Sequence, residues 1–235
     1  MLRVGLAMLQ GARYEHAEAL RGAAKELGID VEIIECRRGR QVDESLHALI
    51  LPGGESTTMR KAGAAEALYD AIFSWMDQFP ERPVLGTCAG AILLASPGQS
   101  RSPYVRAEIS RNAWGRQRDS FEAIIDVKLD VDSQIFQTVE PAKRDRFSHM
   151  PLEMASQAAQ ILSTSQQQSF PGVFIRAPRF DAHRVSCEIV ARLGEEIVGV
   201  LDGVHLAVTF HPELTLDRRF HRWLLERAKH FSEVV

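Results

Sequence analysis

Apolar positions fall into two rhythms along the first half of the chain. Leu2 to Met8 is a compact apolar run, Asp30 to Glu35 is β-branched, and His47 to Leu51 and Pro83 to Gly86 are short apolar stretches of strand length. Between them the spacing widens to that of helices. Glu15 to Leu27 is rich in Ala, Leu and Glu, Thr57 to Phe79 reads as one long helix, and Ala89 to Ala95 is a run of small and apolar residues. Strands alternating with helices predict an α/β fold with a parallel sheet covered on both faces.

The second half changes character. Phe121 to Val131, Val185 to Leu193 and Glu196 to Leu201 are strand-like, and Asp202-Gly203 forms a hairpin-type turn before Val204 to Phe210. A mixed sheet edge is the natural reading. Thr215 to Phe231 predicts an amphipathic helix with Leu216, Phe220, Trp223, Leu224 and Phe231 available for burial. Between Asp132 and Phe170 the pattern weakens, with Pro141, Pro151, the charged run Lys143 to Arg146, a short helical stretch near Leu152 to Ile161 and the polar tract Ser165 to Ser169. Connectors this long are uncommon in compact domains. The expectation is therefore one domain over 1–235 with an insertion at about 132–170.

Composition narrows the function classes. The chain is 45% hydrophobic and 25% charged, which argues against a disordered, collagen-like or membrane-spanning protein. Lys plus Arg is 28 against 31 for Asp plus Glu, so the net charge is −3 and no basic field for nucleic acid exists. No apolar run approaches the roughly 18 residues that a membrane helix needs. Gln10-Gly11-Ala12-Arg13 cuts off the first apolar run before it could act as a secretion signal, so a cytoplasmic protein is expected. Three cysteines, Cys36, Cys88 and Cys187, are an odd set without metal-type spacing, and neither a disulfide framework nor a metal site is expected.

One of these cysteines has a chemical setting. Cys88 lies in Gly86-Thr87-Cys88-Ala89-Gly90, between a predicted strand and a predicted helix. This is the thiol version of the nucleophile elbow, a sharp turn that needs small neighbours and holds the sulfur at a helix N-terminus, where the thiolate is favoured. Cys36 and Cys187 lack that setting and read as structural. A thiolate needs a base, and the base needs an orienting group. His211-Pro212-Glu213 follows a predicted strand; an extended segment would put residues i and i+2 on one side, so Glu213 could hold one imidazole nitrogen while the other faces Cys88. The remaining histidines, His16, His47, His149, His183, His205, His221 and His230, have no comparable acid-and-strand context. Leu51 to Thr58 adds a Gly53-Gly54 pair at a strand-to-helix junction, suited to bringing backbone N–H groups close to an oxyanion.

Taken together these segments resemble the glutaminase subunit of pyridoxal 5'-phosphate synthase, within the triad (class I) glutamine amidotransferases. LPGGESTTMRK at Leu51 to Lys61, PVLGTCAGAILLA at Pro83 to Ala95, RNAWGRQRDSFEA at Arg111 to Ala123, GVFIRAP at Gly172 to Pro178 and FHPEL at Phe210 to Leu214 are similar to that family's blocks and occur in order. The resemblance implies a flavodoxin-like three-layer fold with a mixed central sheet flanked by helices. It implies that Cys88 attacks the side-chain carboxamide of L-glutamine, that His211 shuttles the proton and that Glu213 orients His211. The backbone N–H groups of Gly54 and Ala89 would hold the oxyanion, and Gly54, Glu55, Ser56, Arg111, Ile175 and Arg176 map onto glutamine-binding positions. Arg111 or Arg176 suits a carboxylate because a planar guanidinium binds it at two points.

No cofactor is implied. The partner implied is a (β/α)8-barrel synthase subunit, in a large hetero-oligomer, which takes the ammonia into pyridoxal phosphate and switches on the glutaminase when it docks near Gln10. Between Ala123 and Gly172 this chain is much longer than the family's usual connector. Two alternatives stand beside this reading. A non-catalytic scaffold or regulatory subunit is opposed by the intact Cys88, His211 and Glu213, and a different triad amidotransferase by the GGESTT and FIRAP blocks.

Overall fold

The computed structural model describes residues 1–8, 12–54, 67–98, 101–111, 120–130 and 168–234. Among them, β1 (Leu2–Ala7) pairs in parallel with β2 (Val31–Cys36) on one side and β3 (Ala48–Leu51) on the other. The parallel half continues through β4 (Val84–Thr87) to β11 (His205–Val208). From β11 the sheet turns antiparallel through β10 (Glu196–Asp202), β9 (Glu188–Leu193), β6 (Ser120–Val127) and β7 (Ser169–Ile175). A separate antiparallel ribbon joins β5 (Ala107–Ser110) to β8 (Arg179–Val185).

Alternation along the strands builds two cores. Val4, Leu6, Ile50, Leu85, Leu206 and Val208 pack against helices α1 (Arg13–Leu27) and α4 (Arg219–Val234). Leu49, Leu51, Val84 and Ala207 face α2 (Leu68–Gln78) and α3 (Ala89–Ala95) on the other side. The result is the three-layer α/β arrangement with a mixed sheet that the sequence predicts. Glu26 at the end of α1 accepts from Arg218 at 2.6 Å and Arg222 at 2.7 Å, which ties α1 to α4. No helix among the described residues is long and apolar enough to cross a membrane.

Several elements differ from the sequence expectation. The stretch from Val185 to Leu193 is two strands, because the chain changes sheets: the Ser186 N–H donates to the Arg106 carbonyl, while Glu188 pairs with Leu201 of the large sheet. The last helix begins at Arg219 instead of Thr215, since the Asp217 carboxylate accepts the Arg219 N–H and ends the preceding turn. Ser169 and Phe170, which the sequence reading leaves at the end of the weakly patterned stretch, open β7, and Phe170 is fully buried. Thr57 to Glu66 of the expected long helix, and 131–167, lie outside the described residues.

Phe170 and Phe174 of β7 pack on Phe210 and Phe220, with ring centroids between 5.0 and 5.7 Å apart. The Val173 carbonyl also accepts the His211 N–H at 2.8 Å. The antiparallel half therefore curls back over the C-terminal ends of β4 and β11, the edge where open α/β sheets build their sites.

Candidate active site

Cys88 follows β4 at the turn into α3, with φ +50° and ψ −107°. A residue with a Cβ pays a steric cost for that conformation, and it persists only where its surroundings impose it. Here the Cys88 N–H donates to the Val208 carbonyl at 2.8 Å. The flanking glycines allow close packing: a Cβ on Gly86 would fall 2.8 Å from the Gly90 backbone, and one on Gly90 would run into the Leu51 carbonyl. The spacing of the pentapeptide is thus a packing requirement of helix on strand.

Val208 lies opposite Thr87 in the parallel ladder, so the chain leaving β11 arrives beside Cys88. There the His211 Nδ1 is 2.8 Å from Glu213 Oε1. The segment is not extended as expected. Pro212 opens a 3-10 turn, Pro212–Leu214, a position where its missing N–H costs nothing. The tight turn still brings the two side chains together. With Nδ1 taken by Glu213, Nε2 is left free to face the thiol, and Cys88 is close enough to raise the proton affinity of the ring.

Electrostatics favour an imidazolium at this site. Burial works against a charge on His211, but Glu213 and Cys88 outweigh it and lift its pKa from 6.5 to about 10. Burial likewise opposes ionisation of Glu213, yet His16 and His211 hold its carboxyl well below the usual range. The pair is charge-complementary and shielded from water, which strengthens the attraction.

Some of the other expected residues lie near this centre. Gly53 packs against two of these side chains: a Cβ there would lie 2.5 Å from His211 Cε1 and 3.1 Å from Cys88 Cβ. Gly54 follows it with φ +151°, and Ala89 is the first residue of α3, where backbone N–H groups have no partner within the helix. The Cys88 sulfur lies 3.9 Å from the Ile175 carbonyl oxygen, which places Ile175 and Arg176 beside this thiol. Arg176 has φ +43° and turns the chain towards β8. Ser110 pairs with Arg179, so Arg111 emerges at the same end of the ribbon as Arg176. Glu55, Ser56 and Gln10 lie outside the described residues.

Sequence reasoning passed over His16, which is fully buried with Nε2 3.4 Å from Glu213 Oε2. One signal was available: His16, Leu20, Ala23 and Ala24 share the buried face of α1, and a histidine there must find a polar partner. The two other thiols lie elsewhere, Cys36 at the end of β2 and Cys187 between β8 and β9. Burial pushes Cys36 up to about 12 and Cys187 up to about 11.

Comparison with known proteins points the same way. The chain matches the model of the SNO glutamine amidotransferase family over residues 6–141 and 142–230. It is 35% identical to the pyridoxal 5'-phosphate synthase subunit PdxT of Thermococcus onnurineus, across 97% of this chain and 100% of that one. The subunit of the same name from Methanosarcina mazei is 33% identical, across 97% and 98%. A crystal structure of a glutamine amidotransferase, 36% identical, superposes with a TM-score of 0.67 over 96% of this chain and 98% of its own.

Proposed function

Since the chain belongs to the SNO glutamine amidotransferase family, we propose that Cys88, His211 and Glu213 are the triad with which it hydrolyses glutamine. The protein is a glutaminase subunit of pyridoxal 5'-phosphate synthase: it converts L-glutamine to L-glutamate and supplies the ammonia to the synthase. The observation that carries the triad is the Nδ1–Oε1 contact of 2.8 Å, beside a cysteine held in the elbow on the adjacent parallel strand.

His211 removes the Cys88 proton, and the thiolate adds to the carboxamide carbon of glutamine. The negative oxygen of the tetrahedral intermediate takes backbone N–H groups of Gly54 and Ala89. His211 then gives its proton to the departing nitrogen, so ammonia leaves and a thioester remains on Cys88. Water, deprotonated by the same imidazole, attacks the thioester and releases glutamate. Glu213 balances the imidazolium in both halves of the cycle. Arg111 or Arg176 binds the α-carboxylate of the substrate, with Gly54, Glu55, Ser56 and Ile175 lining the rest of its site.

The partner in this reading is a (β/α)8-barrel synthase subunit in a large cytoplasmic hetero-oligomer. Its docking switches the glutaminase on, so ammonia forms only where it is consumed. The test is glutamate release from glutamine, measured with and without the synthase subunit, with Cys88→Ala as the blank. We expect activity that requires both the partner and Cys88. Equal turnover without the partner would mean a free-standing hydrolase, and turnover by Cys88→Ala would remove the triad assignment.

A further inference from the structure

The second oxygen of Glu213 has a neighbour that this reaction does not use. Oε1 is taken by His211, while Oε2 is buried with no hydrogen-bond partner among the described residues and lies 3.4 Å from Nε2 of His16 on α1. The same His16 Nε2 is 3.2 Å from Oγ1 of Thr87, the residue before the nucleophile. His16 Nδ1 is 2.9 Å from Nε2 of His221 on α4. His16, Thr87 and His221 are each 0% exposed.

The proton positions follow from burial. His221 Nδ1 is buried without a partner among the described residues, and a bare lone pair there costs less than a stranded N–H. His221 therefore carries its proton on Nε2 and donates to His16 Nδ1. His16 must then carry its own proton on Nε2, which it gives to Thr87 Oγ1, with Glu213 Oε2 3.4 Å from the same nitrogen. Both rings are neutral, because burial lowers their proton affinity. Both donors are neutral, and the second stands beside the Glu213 carboxylate.

We propose that His16, backed by His221, is a positioning residue that holds the Glu213 carboxylate by its second oxygen, keeping the first aimed at His211. This rests on the triad reading above. A carboxylate held at one oxygen can rotate; held at both, its plane is fixed. A neutral donor has an advantage over Lys or Arg at this place: it orients the carboxylate without cancelling the charge that draws the proton onto His211.

The experiment compares His16→Leu with His16→Gln in the glutaminase assay with the synthase subunit present. The glutamine amide can place an N–H near the position of Nε2, whereas leucine fills the space without a donor. We expect His16→Leu to lose about tenfold or more in kcat, the scale of one hydrogen bond to a charged group, with little change in KM. His16→Gln should recover to within about threefold of the parent. Unchanged kcat in His16→Leu, or equal loss in both variants, overturns the proposal. If Cys88→Ala retains activity, the triad reading fails and this inference with it. Should His16→Leu not fold, nitrogen-15 NMR of the intact protein decides: neutral His16 and His221 both protonated on Nε2 support the chain, and a His16 proton on Nδ1 overturns it.

Discussion

Glu213 sets the proton affinity of the site. It lies at hydrogen-bond distance from His211, is buried to 3% exposure and stays ionised. Glu213→Gln keeps the shape and removes the charge, so the His211 pKa should fall from about 10 back towards 6.5, measurable by NMR titration of the ring. In the same variant kcat for glutamine should drop by about 100-fold or more, as it does when the acid of a catalytic triad loses its charge. At this scale the sequence was readable where chemistry is local. Gly86 to Gly90 and His211 to Glu213 each carry their signature within five residues. His16 escaped notice because its partners, Thr87, Glu213 and His221, are brought to it only by the packing of α1 against the strand ends and α4.

Helix α3 and strand β7 illustrate how elements hold those residues in place. Gly90→Ala puts a methyl group against the Leu51 carbonyl, which is backbone and has little room to yield. A loss of about 1–3 kcal/mol is expected in urea denaturation, together with a fall in glutaminase activity as the elbow shifts. Phe170→Ala should cost about 3–5 kcal/mol by the same measurement, because the ring sits among Phe210, Phe220 and the Arg219 guanidinium. The regular α/β alternation of the first half was legible because buried parallel strands are apolar runs. Strand β7 was not, since Pro171 and Gly172 interrupt its pattern. Proline is tolerated there because, among the described residues, β7 ends the sheet order and pairs with β6 alone. Strands β5 and β8 went unread for a different reason: the ribbon is largely exposed and its residues are mostly polar.

For the whole molecule, the buried imidazoles shape stability against pH. His16 and His221 have folded-state proton affinities below the ordinary 6.5, so the unfolded chain binds more protons in that range and stability rises with pH up to about 6.5. His211 acts oppositely: its affinity is raised to about 10, so its contribution is complete below 6.5 and drains away as pH climbs to about 10. Urea midpoints should therefore peak near pH 6.5, and His221→Gln should flatten the acid side of the peak. Chain topology bears on the expected insertion as well. Asp126 pairs with Ser169 and the Val127 N–H reaches the Gln168 carbonyl, so the chain leaves β6 and re-enters β7 at adjoining points. We propose that 131–167 is an insertion that a short turn could replace. Partner-dependent glutaminase should survive that deletion, whereas one that also removes Ser169 and Phe170 should unfold the protein, as circular dichroism would detect.

The fate of the three sulfurs has a practical side. Cys36 and Cys187 are held as neutral thiols far above neutral pH, one buried at the end of β2 beside β1 and the other near Asp202. A glutamine-shaped alkylating reagent at pH 8 should consequently attach once per chain, at Cys88, and a mass spectrum of the labelled protein would count working sites directly.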